Sequence, residues 1–358
     1  MDALLNRLYV SLLLGSVSLS VPSTYAQQCG TEIPPDGVEV IQQRMALNLY
    51  EHEPAVELSA VTIRIKWHVV TTSTGTRCID DATLAYYLNG LSMAFARVDM
   101  SFCADEEVHL IVDDGLFDNV PSHYDLRLME PTLDAIDIYW CPSILNGSLC
   151  GTSSYTFGPP IQGIAIQTSC MGYTDMLGVL IHEVGHYFDL FHTHEMNFGI
   201  ECPTGGDCTK AGDLLCDTPP SSSLMFDTCV NPLDCSFTGD AACLQSVPYC
   251  GEETYEVSGL RNYMSYTAIP CLREFTTGQL LRARAAFDNF RPELQGVPCA
   301  PLPNCISDIN GDGVVNGSDL ALLLNSWGGW DVDADLNNDG AVDGFDLSLM
   351  LSKWNTCD

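Results

Sequence analysis

The chain has 358 residues, enough for one large domain with an appendage or for two domains, and 46% of them are hydrophobic, enough for a sizeable core. Forty-seven acidic residues against 14 basic ones give a formal charge of −33, which argues against nucleic acid and anionic membrane surfaces as partners. Such acidity suits a soluble secreted protein, or acids placed to hold cations.

Residues 1–26 contain one base, Arg7, then the apolar run LYVSLLLGSVSLSV and the small residues Thr24 and Ala26. This is the pattern of a secretory signal peptide cut after Ala26, and the run is too short to cross a bilayer. No other stretch reads as a membrane span, so a secreted, extracellular chain is expected. Seventeen cysteines fit export, where disulfides persist, and the lack of any CxxC pair argues against a cysteine zinc ribbon. The number is odd, so at least one thiol stands outside the intrachain disulfides.

Residues 27–58 form an acidic N-terminal extension with a helical-looking piece, EVIQQRMALNLYEHE. VTIRIKWHVV, from Val61, alternates apolar and polar residues as a strand does. DATLAYYLNGLSMAFARV reads as an amphipathic helix, and VHLIVDD, AIDIYW, GTSSYTF and GIAIQTS read as strands. A helix is expected over 175–189, an irregular stretch rich in Cys, Gly, Pro and Asp over 197–260, and a further helix at TTGQLLRARAAFDNF. Four prolines between Pro292 and Pro303 mark a linker, placed at 296–307, and the last fifty residues are an internal repeat.

The richest chemistry is in HEVGHYFDLFHTHE, from His182 to Glu195. His182 and His186 are four apart on a helix and share one face, where two imidazoles can take two corners of a zinc tetrahedron. Glu183 sits beside the metal without being an obvious ligand, which suits a carboxylate that takes a proton from zinc-bound water. His192 is six residues beyond His186, so the chain must turn sharply to return it to the metal. Three histidines leave a fourth position open, as in a catalytic zinc site. Spacing alone leaves His194 as an alternative third ligand, and leaves both as surface histidines as the plainer reading.

HEVGHYFDLFH resembles the HExxHxxGxxH motif of the metzincin metalloproteases, with Asp189 where the family usually has glycine. Glycine suits a positive φ there, and Asp and Asn are the next most tolerant residues. NYMSY resembles the methionine turn of that family and gives Met264 as the apolar floor of the site. Tyr266 matches a tyrosine that in some metzincins serves the zinc or the developing oxyanion; a packed core tyrosine is the other reading. IKWHVV, GDLLCDTPP and NYMSYTAIPCLREFTTGQLLRARAAFDNFRP narrow the resemblance to the pappalysin group, over roughly 61–292.

The resemblance implies an α+β zinc endopeptidase domain, placed at 59–295, with a twisted five-stranded sheet, an active-site helix and an irregular lower part. It implies Glu183 as general base and acid, and a peptide or protein substrate lying as an added strand on an edge, with Gly151–Phe157 as the candidate. It also implies structural calcium in the region of Asp213 and Asp217, against the reading of an acidic, disulfide-tied loop. Pro-segments of some pappalysin-like enzymes carry a Cys-Gly-Thr like the one beginning at Cys29, whose thiolate fills the open zinc position. Sixteen paired cysteines plus a zinc-bound Cys29 would account for all seventeen; an ordinary disulfide at Cys29 with another thiol free is the alternative.

The repeat begins at Asp308 and again at Asp335, 27 residues on. Each copy opens with a twelve-residue loop carrying oxygen ligands: Asp308, Asn310, Asp312, the carbonyl of Val314, Asn316 and Asp319, then Asp335, Asn337, Asp339, the carbonyl of Ala341, Asp343 and Asp346. Gly313 and Gly340 allow the sharp turn, and this is calcium-loop chemistry. With one helix after each loop, residues 308–358 resemble a type I dockerin, a small all-α module that binds cohesin domains. Gly317-Ser318 and Gly344-Phe345 differ from the Ser/Thr pairs of many dockerins, and Cys305 and Cys357 could clamp the module's ends. The expectation is a secreted zinc endopeptidase with a calcium-binding, cohesin-type attachment module. The rival is a non-catalytic secreted adhesion protein that keeps the metzincin fold.

Overall fold

The structure is a computed structural model and describes residues 27–51, 58–105, 107–132, 134–158, 162–221, 229–238, 246–247, 250, 253–296, 307–309, 315–329, 334–336 and 341–354. The signal segment, most of the linker, Cys305 and Cys357 lie outside the described residues. The elements used below run β1 (Gln27–Cys29), α1 (Gly37–Ala46), β2 (Val61–Thr71), α2 (Asp81–Phe95), β3 (Met100–Ala104), β4 (His109–Val112), α3 (Asp114–Asp118), α4 (His123–Arg127), β5 (Ile136–Cys141), β6 (Leu149–Thr152), β7 (Ile164–Gln167), α5 (Leu177–Tyr187), α6 (Thr277–Phe290), α7 (Gly317–Asn325) and α8 (Gly344–Ser352).

One sheet organises the larger unit, in the order β1, β6, β7, β5, β2, β3, with β4 also on β2. β3 pairs with Val61–Ile65 and β4 with His68–Thr71, successive stretches of one edge of β2. The sheet has seven strands among the described residues; without β1 its six strands fill five positions across, where the resemblance implied five strands, because β3 and β4 share one edge of β2. All pairs are parallel except β6 with β7. β5 is buried along its whole length, as expected of an inner strand covered on both faces.

One face packs against α2, α5 and α6 through a core that includes Ile65, Leu88, Phe95, Leu180, Val184 and Phe287. The other face holds Val70, Tyr139, Ala165, Leu126 and Ile144. α6 starts at a capping box in which Thr276 and Gln279 bond each other's backbone. Asp217 adds to this start, accepting from Gly278 N at 2.6 Å and Thr276 Oγ1 at 3.0 Å. Asp217 therefore caps a helix.

The strand expected over GTSSYTF ends at Thr152. Beyond it the backbone bonds elsewhere: Ser153 N donates to Thr31 Oγ1 and Thr156 N to Asp189 Oδ1. The helix of the extension stops at Ala46, sooner than expected, because Asn48 turns left-handed at φ 55°.

Disulfides tie down the irregular stretch: Cys202–Cys250, Cys208–Cys216 and Cys235–Cys271, while Cys150–Cys170 braces β6. Cys103 and Cys229 are also disulfide-bonded. Cys29, Cys78 and Cys141 are free thiols. The expectation of a single leftover cysteine is thus corrected. Cys78, half-buried in the loop after β2, donates to Trp140 O, and Cys141, buried in β5, donates to Ile166 O.

Candidate active site

α5 is buried on every side from Val179 to Tyr187, so each of its polar groups needs an internal partner. Its end shows how the third histidine returns. Leu190 N donates to Gly185 O and Asp189 N to His186 O, closing a Schellman motif around Asp189, whose φ is 59°. An L-residue there costs about 1–2 kcal/mol relative to glycine. The turn aims His192 back at the helix face.

Three imidazoles then converge. His186 Nε2 lies 3.1 Å from His182 Nε2 and 3.1 Å from His192 Nε2. His182 Nδ1 donates to Tyr263 O, and His186 Nδ1 donates to Leu190 O at 2.7 Å. Those bonds place the ring protons on Nδ1 and leave lone pairs on Nε2. Burial pushes His182 down to about 4, and burial with the neighbouring rings holds His186 and His192 well below the usual histidine range. Neutral imidazoles with lone pairs this close repel unless a cation lies between them. Zinc–nitrogen bonds of 2.0–2.1 Å in a tetrahedron put the nitrogens about 3.3 Å apart, so the donor set fits zinc.

The structure places His192, not His194, in this group. His194 stacks on the His192 ring at 5.1 Å and meets Tyr266 edge-on at 4.5 Å. Met264 is wholly buried beneath: a Cβ on Gly185 would come within 2.6 Å of its sulfur, and its carbonyl accepts from Thr193 N. The glycine thus lets the helix sit directly on the methionine.

Cys29 completes the cluster; its sulfur and the three histidine nitrogens lie within 4.8 Å of one another. β1 brings it there by pairing parallel with β6, with Cys29 opposite Gly151 and Gly30 N donating to Gly151 O. Glu183 is fully buried, and Thr31 Oγ1 donates to its Oε2 at 2.9 Å, with the Cys29 sulfur at 3.6 Å. Its Oε1 has no hydrogen-bond partner among the described residues. Burial pushes Glu183 up to about 8, against the bonds from Thr31 and Cys29. Tyr266 donates its hydroxyl to Cys29 O at 3.2 Å.

Three polar neighbours were not singled out from the sequence. Thr31 holds both Glu183 and the rim at Ser153, Tyr155 OH lies 3.1 Å from His186 Nδ1, and the Glu195 carboxylate stands 3.9 Å from His192 Nδ1. The Glu195 position was legible, three residues after His192 in the same motif; the others depend on the sheet edge.

In the C-terminal unit, Ile309, Val315, Leu323, Ala334, Leu336, Val342 and Met350 form a small separate core. Asp319 and Asp346, both fully buried, accept from the backbone of Asn316 at 2.8 Å and of Asp343 at 2.7 Å, so each repeat loop ends in a capping box on α7 or α8. Asp308 and Asp335 are buried beside that core. Asn310, Asp312, Val314, Asn337 and Asp339 lie outside the described residues.

A histidine pair on a helix, a left-handed turn bringing in the third and a methionine floor define a class: metallopeptidases of the metzincin type. Residues 164–288 match the family model described as pregnancy-associated plasma protein-A, and residues 306–355 match that of the dockerin type I domain. The chain thus carries a pappalysin-type metalloendopeptidase match over 164–288, followed by a type I dockerin match over 306–355. Similar proteins include an extracellular metalloprotease of Colletotrichum graminicola, 25% identical over 304 residues that cover 80% of this chain and 99% of the relative. Another is extracellular metalloprotease 1 of Coccidioides posadasii, 24% identical over 79% of this chain and 96% of its own length. Among solved structures, a Tannerella forsythia promirolysin mutant shares the fold at a TM-score of 0.51 with 19% identity, over 75% of this chain and 97% of its own.

Proposed function

We propose that the chain is a secreted zinc endopeptidase, made with a signal peptide at 1–26 and held latent by the extension 27–58. The observation that carries the reading is the convergence of Nε2 of His182, His186 and His192, with lone pairs left on those of His182 and His186. Zinc held there would supply Lewis acidity and bring the pKa of water down to about 7. A divalent charge beside Glu183 would also draw its raised pKa back down, so that its carboxylate can act as a base.

Glu183 takes the proton of the attacking water at Oε2, the oxygen that Thr31 and the Cys29 sulfur occupy in the precursor, and later delivers it to the departing amine. Tyr266 donates to the oxyanion; in the precursor its hydroxyl bonds a peptide carbonyl, that of Cys29. The substrate takes the position of β1 along β6 and is held by backbone pairing. The signal peptide, the domain limits 59–295 and 308–358 and the linker 296–307 stand as part of this reading.

Cys29 serves as the thiol that fills the fourth zinc position in the precursor, while Thr31 blocks the base. The dockerin takes two calcium ions through the loops at Asp308 and Asp335 and attaches the enzyme to a cohesin-type partner outside the cell. In the catalytic unit, Glu201 and Asp213 each keep a buried oxygen without a partner among the described residues and are the better candidates for structural calcium, since Asp217 is engaged at α6.

Metal removal tests the function. A chelator of zinc should abolish cleavage of a quenched fluorescent peptide by the processed chain, and about one equivalent of zinc should restore it. Unchanged cleavage in the metal-free chain would overturn the reading.

A further inference from the structure

The extension touches the metal helix at a second place that the chemistry of the site does not require. Arg44, fifteen residues after Cys29, reaches the turn after α5 and donates to Asp189 Oδ2 at 3.0 Å and to Thr156 Oγ1. Tyr50 donates to the same Oδ2 at 2.7 Å. The Arg44 guanidinium lies 3.6 Å over the Phe290 ring. On either side of this point Ile41, Met45 and Tyr50 pack among Tyr155, Phe191 and Leu214 of the catalytic unit, and Leu49 O accepts from Asn289.

The turn itself does not need a carboxylate. It is closed by the backbone bonds of Asp189 and Leu190, and glycine meets its positive φ more readily. Asp189 has no exposed surface, and a carboxylate so placed is stable only when paired. Thr156 supplies two donors from the catalytic unit. The cation comes from the extension. Arg282 of the catalytic unit is near, but its Nη1 donates to Asp213 O.

We propose that Asp189 is a docking point for the extension, a second lock that holds α1 through Arg44 and Tyr50 independently of the thiol at the metal. This rests on the reading of 27–58 as an inhibitory extension. β1 is only three residues long, so its ladder on β6 is weak without Cys29. α1, by contrast, keeps an ion pair, a hydroxyl bond and an apolar face. Displacing the thiol therefore leaves the extension across the rim, and full activity requires that Arg44 also lets go.

The test uses the full-length, unprocessed chain and four variants: Cys29→Ser, Arg44→Ala, Asp189→Gly and Cys29→Ser with Arg44→Ala. Glycine at 189 removes the carboxylate while suiting the turn. Hydrogen exchange of residues 37–46 reads docking without reference to activity. Exchange should stay at the wild-type level in Cys29→Ser and rise by about tenfold or more in Arg44→Ala and in Asp189→Gly. Peptide cleavage should appear weakly in Cys29→Ser and about tenfold more strongly in the double variant. The lock is overturned if neither Arg44→Ala nor Asp189→Gly loosens α1, or if Cys29→Ser alone loosens it as much. Processed wild-type chain that holds zinc and cleaves nothing would refute the peptidase reading instead, whatever the exchange data show.

Discussion

Glu183→Gln is expected to keep the metal and lose turnover by about 10²–10⁴-fold, the usual worth of a general acid–base group. The amide has the shape of the carboxylate but cannot take a proton. The change leaves the histidine ligands as they are, with the ring protons of His182 and His186 fixed by Tyr263 O and Leu190 O. Packing also leaves the group little room to be replaced by another base. A Cβ on Gly151 would fall 2.8 Å from Glu183 Oε1, so the rim backbone lies directly against it. Zinc content and peptide cleavage should be measured on the same processed sample. Wild-type turnover in the variant would remove Glu183 from the mechanism, and loss of zinc would show that the residue holds the site together rather than acting in it.

The dockerin should depend on calcium for its fold. Seven carboxylates stand at its two loops: Asp308, Asp312, Asp319, Asp335, Asp339, Asp343 and Asp346. Four of them, Asp308, Asp319, Asp335 and Asp346, are buried against a core of few side chains. Buried like charges in so small a module are not offset by apolar burial without a cation. A 303–358 fragment should be largely unfolded in chelator and gain helical signal on adding calcium, as α7 and α8 form. Trp354, partly buried on that core, reports the change by fluorescence. Asp308→Ala combined with Asp335→Ala should abolish the response. A wild-type fragment equally helical in chelator would contradict the calcium loops.

The parts legible in the sequence were those with a local signature. The spacing of His182, His186 and His192, the apolar alternation of β2 and the Thr276–Gln279 start of α6 each declare themselves within a few residues. What stayed hidden was set by partners distant in the chain. QQC has no strand pattern, and β1 exists because the edge of β6 offers unpaired backbone. Asp189 reads as a tolerated stand-in for glycine; its carboxylate acquires a role only when Arg44, 145 residues earlier, is seen beside it. An odd cysteine count could announce one unpaired thiol but not that Cys141, buried in β5, and Cys78, half-buried in the loop after β2, each bond a carbonyl instead. Asp213 and Asp217 looked alike as acids four apart, and only the start of α6 separates their roles.

Anomalous diffraction from crystals of the processed chain, collected above and below the zinc absorption edge, tests the central claim most directly. The account predicts one strong zinc peak in the catalytic unit, about 2.0–2.1 Å from Nε2 of each of His182, His186 and His192. A zinc-replete crystal with no peak among these three nitrogens, or with its zinc on His194 in place of His192, would contradict it.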